Sequence, residues 1–244
     1  MGSHLARAGL LVLFPIAAAV LGSLAAARRP PGPKFTSGVQ HFAAGVVFAA
    51  AAVEVVPQLQ ASGHLPAAVV GFCVGVAILL GLQAAERRTE KAAEISGRAG
   101  FPTGMLVAIA VDLVIDGVLV GIGATLGANQ GMILTVALTL EIGFLALAVT
   151  SELRESLGML KAAAIASSLS LAVPIGALIA VVGLAHAPAW LFTAVLAAGI
   201  AALMFLVAEE LITEAHEEAP DTPILTAMFF AGFIILYVLD RLGG

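Results

Sequence analysis

"AVDLVIDGVLVGIG" (residues 110–123) reads as the middle of a membrane-crossing helix, yet it carries Asp112 and Asp116. An acid at the centre of a bilayer costs roughly 2.5–3.5 kcal/mol on insertion scales. Residues four apart share one helix face, so the two carboxylates lie together and repel each other as anions. A chain that keeps both there needs something to neutralise them.

The rest of the sequence supports a membrane setting. The chain has 244 residues, 61% of them hydrophobic and only 11% charged. Its mean hydropathy is +1.08. A soluble domain of this size would need far more polar surface. Apolar runs are near-continuous rather than alternating, which favours spanning helices over an outer-membrane barrel. The single cysteine, Cys73, excludes a disulfide framework and a Cys-based zinc site. A formal charge of −5 is too small to imply a charged partner. "GVLVGIGATLG" (117–127) has glycines but no following Lys-Ser/Thr, so it reads as a close-packing helix surface and not as a nucleotide loop. No nucleic-acid partner is expected. "MGSH" (1–4) reads as an expression-tag remnant, which sets His4 aside as a ligand.

Apolar windows predict an all-α membrane protein with eight spans, at about 8–27, 37–58, 66–85, 102–124, 131–151, 161–183, 189–212 and 223–240. "RRPPGPK" (28–34) separates the first two, because consecutive prolines cannot continue a helix. "ERRTEKAAEISGRAG" (86–100) is the longest polar stretch, while "GANQG" (127–131) and "LAHAPAW" (184–190) are tight turns. No soluble domain interrupts this pattern, so residues 1–244 read as one transmembrane domain. With both termini outside, Arg28, Arg29, Lys34, Arg87, Arg88, Lys91, Arg98, Arg154 and Lys161 all face the cytoplasm. Only Arg7 and Arg241 fall on the other side, so the positive-inside rule selects this orientation.

Span 4 runs inward to outward, and Asp112 lies about 15 Å deep in a core roughly 30 Å thick. Span 5 returns, and Glu141 lies about 15 Å in from the other face. Helices joined by a short loop pack together. Asp112, Asp116 and Glu141 are therefore expected to meet, and either protons or a cation must neutralise them. Oxygen-only ligation suits hard or borderline divalent cations and fits monovalent copper badly. Other polar residues in or near spans are Glu54 and His41 in span 2, and Glu209, Glu210, Glu214 and His216 in or just beyond span 7. They are candidates for an entrance or exit path, against the plainer reading of solvated helix ends. Glu209, Glu210 and Glu214 are assigned to an inner vestibule, with His216 less directly placed. "SSLS" (167–170) offers hydroxyls for interhelical hydrogen bonds.

Several stretches resemble the ZIP (Zrt/Irt-like) metal transporters. "DLVIDGVLVG" (112–121) is similar to that family's H-N-x-P-E-G pattern in its fourth span, with Asp112 at the His position, Asp116 at the Glu position and Gly117 matching. "EIGFLALAV" (141–149) resembles the fifth-span motif, with Glu141 at the first ligand position and Leu145 at the Glu position. "HFAAGVVFAAAAVEVVP" (41–57), "SLAVPIGALIA" (170–180) and "AAGIAALMFLVAEELITEA" (197–215) resemble the second, sixth and seventh spans. The resemblance covers about residues 8–240. It implies a ZIP-like bundle, a multi-pass protein of the inner or plasma membrane, alternating access by movement of one helix bundle against another, and a homodimer. The family's bridging positions read Leu145 and Val173 here, its Asn position reads Leu113, and Ile115 and Phe144 replace its two prolines.

The sequence thus predicts a divalent metal transporter with one all-carboxylate site of Asp112, Asp116 and Glu141. The ion is expected to be zinc, manganese or ferrous iron. Carboxylates without imidazole lean away from zinc. Apart from the transported ion no cofactor is expected, and the partners are the lipid bilayer and the cation. Three alternatives stand beside it. A proton-linked carrier of a non-metal substrate would use the same acids as a relay. A non-transporting sensor on the ZIP fold would explain the missing bridging ligands. An enzyme is disfavoured: a two-aspartate protease needs its acids on facing helices, and no Ser-His pair is present to carry another mechanism.

Overall fold

The computed structural model describes residues 2–29, 31–95, 103–126, 128–184, 186–220 and 222–243. Among these, every regular element is helical, and eight helices are long and apolar enough to cross a membrane. They are α1 (Gly2–Arg28), α2 (Pro33–Ala61), α3 (Leu65–Ala85), α4 (Gly104–Leu126), α5 (Gly131–Leu157), α6 (Met159–Gly183), α7 (Ala189–Glu218) and α8 (Pro223–Leu242). These are the eight spans expected, and they mark a multi-pass membrane protein. The helix of α3 continues beyond its apolar part to Ile95. Arg98 and the expected start of the fourth span at about residue 102 lie outside the described residues.

Boundaries shift where charged residues sit on a continuing helix. α5 carries on through Glu152 and Arg154, and α7 through Glu214 and Glu218. Hydropathy falls at those points, but nothing breaks the helix until Gly158, with φ 81°, and the extended Ala219. At the other end of the chain α1 begins at Gly2, six residues before the apolar window. His4 Nδ1 and Arg7 both approach the carbonyl of Ala124, at 3.3 and 3.4 Å, close to the end of α4. Donors there meet carbonyls that the helix itself leaves unpaired.

Prolines account for three irregularities. α1 is interrupted at Val12, next to the Leu11 carbonyl that Pro15 cannot serve. α6 is interrupted at Ser170–Leu171, where Pro174 cannot donate to Ser170. In α2 a single π turn, Ala51–Val55, precedes Pro57 and absorbs its missing bond to Val53. α7 has a π turn too, Leu206–Leu211, without any proline. There the Thr213 hydroxyl donates to the carbonyl of Ala208 at 3.2 Å, giving that loosened carbonyl a partner.

The helices pair as α1 with α5, α4 with α6, α2 with α8 and α3 with α7. Helices α1, α4, α5 and α6 form one group and α2, α3, α7 and α8 a second, joined chiefly where α2 meets α5 and where α4 meets α3 and α7. Exchanging α1 with α6, α2 with α7, α3 with α8 and α4 with α5 maps the pairing onto itself. The exchange also maps proline break onto proline break and π turn onto π turn. Such partners run in opposite directions, the pattern of an inverted repeat.

Small residues make the pairings close. A Cβ at Gly117 of α4 would overlap the carbonyl oxygen of Val173 in α6, and one at Gly176 would overlap that of Val114 in α4. Gly45 and Gly232 meet the backbone of the opposite helix in the same way between α2 and α8. In lipid, where apolar surface gains nothing by leaving water, this close backbone packing is what holds helices together.

Candidate metal centre

α4 and α5 bring Asp112, Asp116 and Glu141 to one place. One carboxylate oxygen from each lies within 4.8 Å of the others. Across an ion with metal–oxygen distances of 2.0–2.6 Å, two ligands stand at most about 4–5 Å apart. The triad therefore has the spread of a single cation site without any movement of the backbone. Asp116 and Glu141 are 2% and 1% exposed, whereas Asp112 is half-buried. Leu113 and Ile142, next in sequence to Asp112 and Glu141, are themselves buried in the apolar core.

The two deeper acids hydrogen-bond to each other. A bond between two carboxyl groups requires a proton on one of them. Asp116 Oδ2 and Glu141 Oε2 have no partner. The charged groups that act on these two acids are Asp112, Glu210 and each other, all of them acids. A fully ionised triad in so apolar a place would need a cation to balance it.

Asp112 opens onto a cavity of about 340 Å³. Its polar lining consists of Gln83, Arg87, Glu152, Glu209, Glu210 and Glu214. The three glutamates that the sequence assigns to a vestibule, Glu209, Glu210 and Glu214, thus share one cavity with Asp112. The π turn of α7 presents Glu209 and Glu210 there, and Glu210 also reaches the centre electrostatically. Single π turns recur at functional sites.

The remaining candidates lie elsewhere. His41 is buried, with Nδ1 2.9 Å from the carbonyl of Ser37. Its ring packs edge to face on His216, centroids 5.3 Å apart, and neither ring lines the 340 Å³ cavity. Glu54 sits buried in the π turn of α2, where it hydrogen-bonds with Asp240 of α8. "SSLS" makes local bonds: Ser168 and Ser170 donate to the carbonyls of Ile165 and Ser167.

Sequence reading missed Gln83, Arg87 and Glu152. All three lie at the rims of apolar windows, where a polar residue looks like an ordinary helix end. A 3.6-residue count from Asp112 and Glu141 toward that rim would have placed Glu152 three turns from Glu141 on a similar face. No protein-family model matches the chain, and no curated protein matches it.

Proposed function

We propose that this chain is a ZIP-like transporter of a divalent cation, with Asp112, Asp116 and Glu141 as its central binding site. The observation that carries the reading is the triad itself: three carboxylates gathered within 4.8 Å in the apolar interior, with one member facing an acid-lined cavity. The donor set favours manganese, magnesium or ferrous iron over zinc, because no imidazole takes part.

By the positive-inside rule the basic loops support a cavity that opens to the cytoplasm, in an inner or plasma membrane with both termini outside. In this arrangement the centre communicates inward through Glu209, Glu210 and Glu214. The two helix groups meet beside the triad, so motion of one against the other would expose it alternately to the two sides. Uptake of manganese into sealed vesicles containing the purified protein tests the reading. Uptake should be saturable and lost in Asp112→Asn. Vesicles no more permeable than empty ones would refute it.

The hydrogen bond between Asp116 and Glu141 supports a second reading, a proton-linked carrier of another substrate, because such a bond needs a proton in the centre. Proton flux without any response to divalent ions would favour it.

A further inference from the structure

The polar contacts between α2 and α7 include an imidazole pair that the carboxylate centre does not use. His41 of α2 and His216 of α7 stand with ring centroids 5.3 Å apart and planes at 80°. One residue back along α2, the Gln40 amide donates to Glu214 of α7 at 2.8 Å, so the two helices are joined twice at this level. Elsewhere on α2 the ring contacts are made by phenylalanine: Phe48 packs on Phe229 and Phe233 of α8. Phenyl rings would serve packing between α2 and α7 equally well. Imidazoles bring nitrogen lone pairs to the contact.

His41 is 3% exposed, and its Nδ1 lies 2.9 Å from the carbonyl oxygen of Ser37. A carbonyl only accepts, so Nδ1 carries the hydrogen and, in the neutral ring, Nε2 keeps the lone pair. Histidines that ligate metals are commonly fixed in this way, by a backbone carbonyl on the other ring nitrogen. His216 is exposed and brings the pair to water. The spacing fits as well. Metal–nitrogen bonds of about 2.0–2.1 Å at a tetrahedral angle put the centroids of two imidazoles about 5 Å apart. Near-perpendicular planes keep two such rings clear of each other. Gln40 and Glu217, next in sequence to the two histidines, line a cavity of about 560 Å³ together with Glu214 and Glu218. Its glutamates attract cations to the approach without having to be ligands.

We propose that His41 and His216 form a second metal site, separate from the carboxylate centre, that takes a borderline divalent ion such as zinc or copper(II). Two imidazole nitrogens hold the ion, and water fills the remaining positions. Imidazole suits these ions, whereas the all-carboxylate centre suits manganese and magnesium. The chain thus carries two sites of opposite preference. An ion between the histidines fastens α2 to α7 within one helix group. Its binding does not depend on the transport reading above.

The test is a Cu²⁺ titration of the full chain in nanodiscs, read by electron paramagnetic resonance, in which imidazole nitrogens leave a distinct signature on the copper signal. In Asp112→Asn, which disables the centre, one Cu²⁺ should bind with two imidazoles, and excess Mn²⁺ should not displace it. His216→Asn changes an exposed side chain and should leave the fold intact. It should remove one imidazole from the signal and weaken binding at least about tenfold, since even indirect partners of a metal cost 10–100-fold. His216→Cys supplies another ligand for these ions and should restore tight binding, which separates ligation from loss of a ring contact. Copper that carries fewer than two imidazoles in Asp112→Asn would overturn the site. A two-imidazole signal that survives His216→Asn would overturn it as well. Two-imidazole copper in a protein that fails the manganese uptake assay would sustain the site and refute transport, and the reverse pair of results would refute the site alone.

Discussion

Gly117 of α4 lies so close to Val173 of α6 that a Cβ would overlap the valine carbonyl oxygen. The neighbouring residue in sequence is Asp116, so this contact also fixes the depth and rotation of the central carboxylate. Gly117→Ala should push α4 from α6 and cost about 1–3 kcal/mol, the usual range for overpacking. A Cβ at Gly81 would meet nothing within 4 Å, and Gly81→Ala should leave stability unchanged or slightly raised. Thermal unfolding of the two variants in detergent provides the comparison. Equal midpoints would mean that the α4–α6 contact is not tight.

Metal binding at the centre should release a proton. A hydrogen bond between the Asp116 and Glu141 carboxyl groups needs one proton, and a dication that took both carboxylates would displace it. Adding manganese to the protein in weak buffer should acidify the solution by about one proton per ion. Asp116→Asn, whose amide donates a hydrogen that cannot leave, should release none. The sign follows directly: affinity for the ion rises with pH. Binding of manganese to the wild type with no pH change would contradict the arrangement.

Glu209 and Glu210 should behave differently, although they are adjacent and line one cavity. Only Glu210 also acts on Asp116 and Glu141. Glu209→Gln should slow uptake while leaving manganese affinity nearly intact. Glu210→Gln should slow uptake and weaken affinity by a few-fold, on the order of 1 kcal/mol or less at an effective dielectric near 20. Asp112→Asn should lower both sharply. Calorimetry beside vesicle uptake separates the three. Loss of binding in Glu209→Gln equal to that in Asp112→Asn would move Glu209 into the centre.

Lys91, exposed on the helical continuation of α3, reports orientation. Lys91→Cys should resist an impermeant thiol reagent in intact cells and react once the membrane is opened, with Cys73 replaced beforehand. Ready labelling from outside would invert the topology.

Most of the architecture could be read from hydropathy, because the bilayer imposes length and apolarity on each span independently. The triad could be read too: Asp112 and Asp116 share a face by spacing alone, and a short α4–α5 connection brings Glu141 to them. Helix ends were less legible. α7 continues to Glu218 because charged residues leave lipid without ending a helix. The π turn at Leu206–Leu211 has no proline to announce it, and its register decides where Glu209 and Glu210 point. The hydrogen bond from Gln40 to Glu214 gave no signal, since the two residues are far apart in the chain. The pairing of α2 with α8 and α3 with α7 depends on which glycines face which backbones, a property of the assembled bundle.

A proton shared by Asp116 and Glu141 would have an electrical consequence. Under the proposed function, each entering dication would release that proton to the outside and the emptied centre would take one up from the inside before returning, so two charges would move in, one would move out, and one net elementary charge would cross per cycle. Moving one charge through the membrane field is worth about 2.3 kcal/mol per 100 mV. An inside-negative voltage would then pull the ion inward by itself, and transport would appear as a current whose size follows the membrane potential.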